Sequence, residues 1–192
     1  MHKTLGVLLA GGAGERLYPL TRHRAKPAVP FGGNYRIIDV TLSNCINSGL
    51  RKLFILTQYK SLSLDRHVRN GWYNVVAKDL DEFIEIIPPQ KRVTETWYLG
   101  TADAVWQNLY SIKTVEQIDH VMILSGDHIY KMNYWRMLRD HLEAQADVTV
   151  GAIEVPLEEA HRFGVIEVDE TGRIRGFEEK PTVPKPSPLN QD

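Results

Sequence analysis

The chain has 192 residues, of which 43% are apolar and 24% charged, and its net charge at pH 7 is -1. These proportions are typical of a globular protein, and the near-zero charge argues against a nucleic-acid partner, because nucleic-acid-binding domains usually carry excess basic residues. The single cysteine, Cys45, excludes an intramolecular disulfide framework, and we interpret it as a small core residue in a reducing compartment. No apolar run approaches the ~20 residues of a membrane helix. We therefore expect a cytoplasmic protein without a membrane partner.

Short β-rich runs alternate with longer runs that carry apolar residues at helical spacing. The strand candidates are residues 5–10, 52–57, 120–125 and 147–155, and the helix candidates are residues 39–49, 61–70, 101–113 and 133–145. We expect Thr101 to cap the third helix and Gly49 to end the first. The alternation predicts βαβ units, and the Val, Ile and Leu content of the strands indicates a sheet covered on both faces. The predicted fold class is therefore α/β, with a doubly wound, mostly parallel sheet.

The end of the chain differs in composition. The run GVIEVDETGRIRGFEEK predicts a hairpin, with strands at 165–168 and 174–178 on either side of a DETG turn. Residues 181–192 contain four prolines and few apolar side chains, which is typical of an extended linker. We therefore expect one domain over residues 1–180 and a Pro-rich tail over residues 181–192.

A glycine-rich loop, GGAGER at residues 11–16, follows the first strand. Such a loop can present several backbone N–H groups to an anion, but this one is neither a P-loop nor a dinucleotide fingerprint, because Glu15 and Leu17 break those patterns. Taken alone, the loop fits both a phosphate cradle and a simple turn. Four cations follow it closely, namely Arg16, Arg22, Arg24 and Lys26. This local excess favours phosphate contact by Arg16 and Lys26 over the alternative of a solvated basic face.

The run ILSGDHIYK places Asp127 just after a predicted strand, at the sheet edge where parallel α/β folds bind ligands. Mg²⁺ prefers one or two carboxylates together with substrate phosphates and waters, so Asp127 opposite a cationic loop fits half of a magnesium site. The alternative is a cap for the helix expected near Tyr134. His128 has no second His or Cys at ligand spacing, so we do not expect zinc. The later run FEEKP is either a ligand contact or an exposed, charged strand end.

Together these runs resemble the sugar-nucleotide pyrophosphorylases. The matching stretches are LAGGAGERLYPLT, RAKPAVPFGGNYRIIDVTLSNCINSG, LTQYKSLSLDRHV, WYLGTADAVWQN, GDHIYKMNY, FGVI and FEEKP. The glycine loop alone indicates only the superfamily, whereas the runs KPAVPFGG…RIIDVTLSNCINSG and GTADAV…GDHIYK are similar to those of the bacterial and plant glucose-1-phosphate adenylyltransferases. The resemblance implies a Rossmann-like nucleotidyltransferase domain of the glycosyltransferase-A-like type.

The resemblance also implies an activity: AMP is transferred from ATP to α-D-glucose 1-phosphate, giving ADP-glucose and pyrophosphate in the first committed step of glycogen and starch synthesis. It implies Mg²⁺ as cofactor and a homo-oligomer, tetrameric in the family. By the family pattern, the ATP-binding residues are Gly11, Gly12, Ala13, Gly14, Arg16 and Lys26, with Asp127 as the metal ligand and Arg16, Lys26 and Asp127 as the catalytic set. The residues expected to contact glucose 1-phosphate are Tyr98, Gly164, Glu179 and Lys180. The positions that match regulatory or communicating residues are His23, Arg24, Arg36, Gln58 and Trp97.

Three features depart from the family pattern. Glu15 stands where members usually have Ser or Thr, and its carboxylate would repel a triphosphate unless it points away or pairs with Arg16. His23 stands where members that sugar phosphates activate often have lysine, so the activator stays open. The chain also lacks the family's left-handed β-helix and a second metal-binding aspartate. We therefore expect the amino-terminal part of such an enzyme, in truncated form.

Two other interpretations stay open. One is a pyrophosphorylase for another nucleoside triphosphate, because the contacts that select the base are not visible in the sequence. The other is a non-catalytic ATP-binding module, or a regulatory partner of a full-length subunit. The retained Asp127 and Lys180 argue against the second interpretation.

Overall fold

A computed structural model describes residues 1–12, 14–58, 60–89 and 98–184. The chain divides into two compact units, Met1–Ala144 and Gln145–Asp192, a division that the sequence did not indicate. The strands are β1 Thr4–Ala10, β2 Pro30–Phe31, β3 Tyr35–Arg36, β4 Lys52–Thr57, β5 Phe83–Ile87, β6 His120–Ser125, β7 Gly164–Val168 and β8 Ile174–Glu179. The α-helices are α1 Ile37–Asn47, α2 Leu62–Trp72, α3 Thr101–Gln107, α4 Leu109–Lys113 and α5 Tyr134–Glu143.

Four parallel strands form the sheet of the first unit, in the order β5-β4-β1-β6. Strand β1 lies in its interior, with Leu5 opposite Lys52 of β4 on one side and Val121 of β6 on the other. The predictions at 5–10, 52–57 and 120–125 are confirmed. Strand β5 was not predicted, although its sequence FIEII has the β-rich content of a buried strand.

Helices cover both faces of this sheet. Successive strand residues point to opposite faces of a sheet. On one face, Leu8 and Ile55 pack with side chains of α1, α2 and α5. On the other face, Val7 and Phe54 pack with side chains of α3 and α4. Each set forms a separate buried cluster, so the prediction of a doubly wound α/β sheet is confirmed. The prediction that Cys45 is a core residue is also confirmed, because it is fully buried in the first cluster.

The helices differ in detail from the prediction. Residues 101–113 form two helices rather than one, because Asn108 leaves helical geometry and bonds its side chain to the Ala104 carbonyl. Gly100, not Thr101, is the N-cap of α3. Helix α1 begins at Ile37, where Asp39 accepts a hydrogen bond from the backbone N–H of Arg36. Gly49, with φ +75°, follows the last turn of α1, as expected of a helix stop.

The prediction of a strand at 147–155 is wrong. These residues lie in the second unit without strand pairing among the described residues, and Val148 and Ile153 are 74% and 84% exposed. A β-rich sequence becomes a strand only where a neighbour pairs with its backbone and covers its side chains.

The hairpin of the second unit is confirmed as antiparallel β7 and β8, with Gly164 opposite Glu179. Asp169 closes its turn by accepting hydrogen bonds from the backbone N–H groups of Thr171 and Arg173 and from the Thr171 hydroxyl. The hydrogen bond from the Thr171 hydroxyl is the largest cause that lowers the pKa of Asp169; desolvation opposes it, but with the two backbone donors and Arg175 the pKa falls to about 2. No helix in the described ranges is both long enough and apolar enough to cross a membrane.

Candidate functional site

The glycine loop after β1 is shaped by close approach of its neighbours. A Cβ atom on Gly11 would lie 3.0 Å from Cβ of Gln58, and one on Gly14 would lie 2.7 Å from Cβ of Lys26. Gly14 also has a left-handed φ of +65°, which side chains rarely adopt. Glycine at these positions therefore lets Gln58 and Lys26 reach the loop. Ala13 lies outside the described residues.

Lys26 connects this loop to the end of β6. It begins a short 3₁₀ helix, Lys26–Ala28, and its backbone N–H donates to the Gly12 carbonyl at 3.2 Å. Its Nζ donates to Oδ2 of Asp127 at 2.9 Å, although the two residues are 101 positions apart in sequence. The expectation that these two candidate residues lie together is confirmed.

Asp127 is held where β6 ends. The Gly126 N–H donates to the Leu9 carbonyl at 3.0 Å, and the Ser125 hydroxyl donates to Oδ1 of Asp127 at 2.5 Å. Burial alone would raise the pKa of Asp127, but hydrogen bonds from Ser125 and Lys26, with the charges of Lys26 and His128, lower it below the ordinary value. The carboxylate is therefore held in its ionised form.

The alternative that Asp127 caps α5 is wrong. Asn133 is the N-cap of that helix, and its side chain accepts a hydrogen bond from the backbone N–H of Trp135 at 3.0 Å. Asp127 is thus free of a capping role and takes part in the contacts at the loop.

Arg16 and Glu15 lie on the exposed side of the loop, in the 3₁₀ turn Glu15–Leu17. In the described part of the chain, neither side chain forms an ion pair, so Glu15 does not neutralise Arg16 here. The side chains that converge at the loop are therefore Gln58, Lys26 and Asp127, with Arg16 exposed nearby in sequence.

The side chains at the glycine loop that could bind a metal ion determine which kind of ion the site can hold. Among the residues that the structure describes, no three His, Cys, Asp or Glu side chains gather into a metal-binding group. Asp127 offers one carboxylate, and His128 Nε2 lies 3.7 Å from its Oδ1 on an exposed side chain. Because Mg²⁺ accepts one or two carboxylates when phosphates and waters complete its shell, this donor set fits a metal that arrives with a phosphorylated ligand.

Gln58 joins the loop to the segment before α3. Its Nε2 donates to the backbone carbonyl of Tyr98 at 3.2 Å. The Tyr98 side chain is buried, and its hydroxyl accepts a hydrogen bond from Nδ2 of Asn108 at 2.9 Å. Burial raises the pKa of Tyr98, with Asn108 opposing and Asp103 adding to the effect. Trp97, the other expected communicating residue, lies outside the described residues.

A basic pocket of about 350 Å³ lies at the start of α2. The residues that line it are His23, Arg36, Lys60, Leu62, Ser63 and Arg66. Sequence reasoning had singled out His23 and Arg36 but missed Lys60, Ser63 and Arg66, whose only signal was the helical run after the second strand. Burial and the nearby charge of Arg24 lower the pKa of Arg36, while Asp39 opposes them. The pocket therefore concentrates positive charge.

Arg36 is fixed in this pocket from two sides. Its Nη1 donates to the carbonyl and the hydroxyl of Ser63, each at 2.7 Å. Its backbone N–H donates to Asp39, a buried carboxylate that also bonds Nε2 of His67 at 2.7 Å and accepts from Nε1 of Trp72 at 2.7 Å. Sequence reasoning missed this role of Asp39, because its partners on α2 are distant in sequence.

The second unit carries the remaining candidates, which we describe within that unit only. A Cβ on Gly164 would lie 2.9 Å from Oε2 of Glu179 and 2.7 Å from Cε2 of Phe177. Lys180 has a left-handed φ of +50°, its N–H donates to the Phe163 carbonyl, and its Nζ lies 3.6 Å from Oε1 of Glu179. The end of β8 thus presents a carboxylate and an ammonium group side by side.

A parallel α/β sheet whose carboxyl ends gather a glycine loop, a lysine and an aspartate is an arrangement that suits phosphorylated ligands. The sequence profile of the family described as "Nucleotidyl transferase" matches residues 5–191. The chain therefore belongs to the nucleotidyl transferase family.

Curated relatives of the chain carry the name glucose-1-phosphate adenylyltransferase. One from Koribacter versatilis is 66% identical over 181 residues, which are 94% of this chain and 43% of the relative. Another, from Rhodopirellula baltica, is 56% identical over 187 residues, which are 97% of this chain and 42% of the relative. A third, from Methylococcus capsulatus, is 54% identical over 191 residues, which are 100% of this chain and 45% of the relative. The chain thus spans less than half the length of these relatives.

Proposed function

We propose that the chain forms the ATP-binding part of an enzyme that transfers AMP from ATP to α-D-glucose 1-phosphate, giving ADP-glucose and pyrophosphate. The observation that carries this proposal is the Lys26–Asp127 pair, with Nζ and Oδ2 2.9 Å apart beside the glycine loop. The names of the relatives supply the two substrates.

In this reaction, a phosphate oxygen of glucose 1-phosphate attacks the α-phosphorus of ATP, and the bond from that phosphorus to the pyrophosphate breaks. Such a displacement depends on positioning and on neutralising the charge of the phosphates. The backbone N–H groups of the loop Gly11–Gly14 and the cations of Arg16 and Lys26 would supply this neutralisation. Asp127 would hold Mg²⁺, which when bound neutralises phosphate charge further and orients the leaving group.

Within the second unit, the end of β8 and its neighbour Gly164 are the proposed contacts of the sugar phosphate. Glu179 suits the hydroxyl groups of a sugar, because a carboxylate accepts hydrogen bonds. Lys180 suits its phosphate, because an ammonium group carries a full positive charge and three donors. Gly164, directly opposite Glu179, lets that carboxylate lie close to the backbone of β7, because a Cβ there would lie 2.9 Å from Oε2.

We also propose that the basic pocket at the start of α2 binds an anionic effector. Its support is the crowding of His23, Arg36, Lys60 and Arg66 around one cavity, with Arg24 acting on Arg36 through its charge. Gln58, which contacts both the glycine loop and the Tyr98 backbone, is the proposed connection to the substrates, together with Trp97. The resemblance to the family further supports a tetramer. A reaction between two dissolved metabolites, ATP and a sugar phosphate, suits the cytoplasm.

The effector pocket can be tested by titrating inorganic phosphate. We expect Arg66→Ala to weaken phosphate binding about tenfold, in the range of a charge-assisted contact. Arg139→Ala, which removes an exposed arginine of α5, is the matched control and should not change it. An equal loss in both variants would contradict a specific pocket.

The reaction can be tested by measuring pyrophosphate release from ATP, glucose 1-phosphate and Mg²⁺, with Asp127→Asn as the control. We expect release with ATP, less with UTP, GTP or dTTP, and none in the variant. Equal release with another triphosphate would overturn the choice of ATP, and equal release by Asp127→Asn would remove Asp127 from the site. Mg²⁺-dependent ATP binding without any release would instead favour a substrate-binding part that does not turn over by itself, or a non-catalytic ATP-binding module.

A further inference from the structure

We infer that Lys26 and Asp127 are an exchangeable pair: Lys26 occupies the metal-binding oxygen of Asp127 until a metal–nucleotide complex separates the two. On this view, Lys26 then moves to a phosphate and Asp127 binds the metal. The inference rests on the proposed function for the identity of the ligand, and it adds how binding of the metal and binding of the triphosphate are coupled.

The two oxygens of Asp127 are both engaged, but by different kinds of partner. Oδ1 accepts from the hydroxyl of Ser125, whose own carbonyl is fixed by the hydroxyl of Thr41 at 3.0 Å. Oδ2 accepts only from Lys26 among the described residues. Ser125 is thus tied to the end of a strand, whereas the ammonium of Lys26 sits on a flexible four-carbon stem. The oxygen that can change partners is therefore Oδ2.

The pair lies where both ligands would arrive. The side chains of Lys26 and Asp127 are 30% and 24% exposed, so the pair is open to solvent on one side. A Cβ on Gly12 would lie 3.7 Å from Oδ2 of Asp127, and one on Gly14 would lie 2.7 Å from Cβ of Lys26, so both glycines lie beside the pair. Phosphates bound to the loop would therefore lie next to both side chains.

The charges of the pair cancel, and this has consequences for each ligand on its own. A free metal ion meets a carboxylate that is already neutralised, and it must either displace Lys26 or lie close to a like charge. A metal-free triphosphate meets an ammonium group that is already paired. A metal–nucleotide complex offers both charges at once, so it can replace both partners in one exchange. Coupling of this kind between two ligands typically amounts to about 5- to 150-fold in affinity.

The first test is binding of Mn²⁺, followed by electron paramagnetic resonance, to the nucleotide-free chain. We expect Lys26→Gln to bind Mn²⁺ about tenfold more tightly than the unaltered chain, and Lys26→Arg, which keeps the charge, to show no gain. Arg22→Gln removes the same charge from an exposed side chain four residues before Lys26, and it should change Mn²⁺ affinity by less than about twofold, since exposed charges are screened. Adding Asp127→Asn to Lys26→Gln should abolish the gain. No gain in Lys26→Gln, or an equal gain in Arg22→Gln, would overturn the exchange.

The second test uses the unaltered chain, so it does not depend on how a variant folds. The Lys26 ammonium resonance is followed by nitrogen-15 NMR. We expect it to shift when Mg²⁺ and a non-hydrolysable ATP analogue are added together, but not with Mg²⁺ alone at the same concentration. A shift with Mg²⁺ alone would overturn the coupling. If Asp127-dependent binding of the metal–ATP analogue is intact while Lys26 fails both tests, the exchange is wrong and the proposed function stands. If Mn²⁺ shows the expected gain but no nucleotide binds, Lys26 competes with the metal for Asp127 but no nucleotide drives the exchange, so both the exchange and the proposed function are wrong.

Discussion

The side-chain amide of Gln58 donates a hydrogen bond to the backbone carbonyl of Tyr98 at 3.2 Å. Gln58 also packs against the glycine loop, where a Cβ atom on Gly11 would lie only 3.0 Å from Cβ of Gln58. One side chain thus supports the glycine loop and ties down the segment before α3. We expect Gln58→Ala to lower the free energy of unfolding by about 1 kcal/mol, the usual contribution of one hydrogen bond. We also expect about fivefold weaker ATP binding, because the loop loses support.

Urea unfolding and ATP titration measure the two effects of Gln58→Ala. Gln58→Glu is the matched control, because it keeps the shape of the side chain but loses the donor, and it should lose at least as much. If ATP binding is unchanged in both variants, the loop does not depend on this contact.

The cost of placing a side chain on a glycine with positive φ can be compared at two positions: Gly14 in the glycine loop, and Gly33, which has open space around it. Gly14 and Gly33 have φ angles of +65° and +87°, but only Gly14 has neighbours that a Cβ would strike, including Cβ of Lys26 at 2.7 Å. We expect Gly33→Ala to cost about 1 kcal/mol of stability from backbone strain alone. Gly14→Ala should cost more and also weaken ATP binding, because Lys26 is displaced. Equal costs and unchanged ATP binding would show that Lys26 is not held by this contact.

Asp39 is expected to be the most important buried polar side chain of the basic pocket. It is 4% exposed and bonds to the Arg36 backbone, His67 and Trp72. Because these bonds involve a charged acceptor, Asp39→Asn should lower the free energy of unfolding by about 2–3 kcal/mol. Asp65→Asn removes a carboxylate from the exposed pair with Arg69 on α2, and it should cost less than about 0.5 kcal/mol. Urea unfolding monitored by tryptophan fluorescence compares the two, and equal costs would contradict a central role for Asp39.

The turn of the hairpin should depend on pH through Asp169. Its pKa is lowered from 3.8 to about 2, chiefly by the hydroxyl of Thr171. A carboxylate whose pKa is lower in the folded state stabilises that state fully at pH above its ordinary value, and the contribution is lost as pH falls. We therefore expect the turn to loosen between pH 4 and about 2. Carbon-13 NMR of the carboxyl group measures the pKa directly, and Thr171→Val should raise it. A midpoint near 3.8 in the unaltered chain would contradict this account.

Lys180 is expected to act on the sugar phosphate rather than on ATP. Lys180→Ala should weaken glucose 1-phosphate binding about tenfold or more, because a charged contact to a phosphate is lost, and should leave ATP binding nearly unchanged. Arg173→Ala removes an exposed positive charge from the same hairpin and is the matched control. Isothermal titration with each substrate separates the two. Equal losses for both substrates would indicate a folding effect.

The sequence predicted those parts of the fold that local pattern determines. Three of the four parallel strands follow from short runs of Val, Ile and Leu, and the proximity of Lys26 and Asp127 follows from the rule that ligand sites lie at the carboxyl ends of parallel strands. The same pattern predicted a strand at 147–155, where it failed, because a strand also needs a partner that no local pattern supplies.

The contacts around the basic pocket that sequence reasoning missed are long-range. The bonds from Asp39 to His67 and Trp72 connect α1 with α2. The lining of the basic pocket combines His23 and Arg36 with residues at the start of α2. Nothing in either segment alone shows which side chains of the other it will meet. The break at Asn108 was missed for a different reason, because an asparagine inside a helical run shows its preference only when its side chain finds backbone partners.

The reactivity of the buried thiol of Cys45 can be used to measure how often the core of the first unit opens. Cys45 is fully buried, it is the chain's single cysteine, and burial raises the pKa of its thiol to about 12. Only a thiolate reacts quickly with alkylating reagents, so labelling requires that α1 separate from the sheet first. The labelling rate at neutral pH therefore measures how often this part of the core opens, without any introduced cysteine. Slower labelling in the presence of Mg²⁺ and ATP would show that ligands at the glycine loop also hold the core closed.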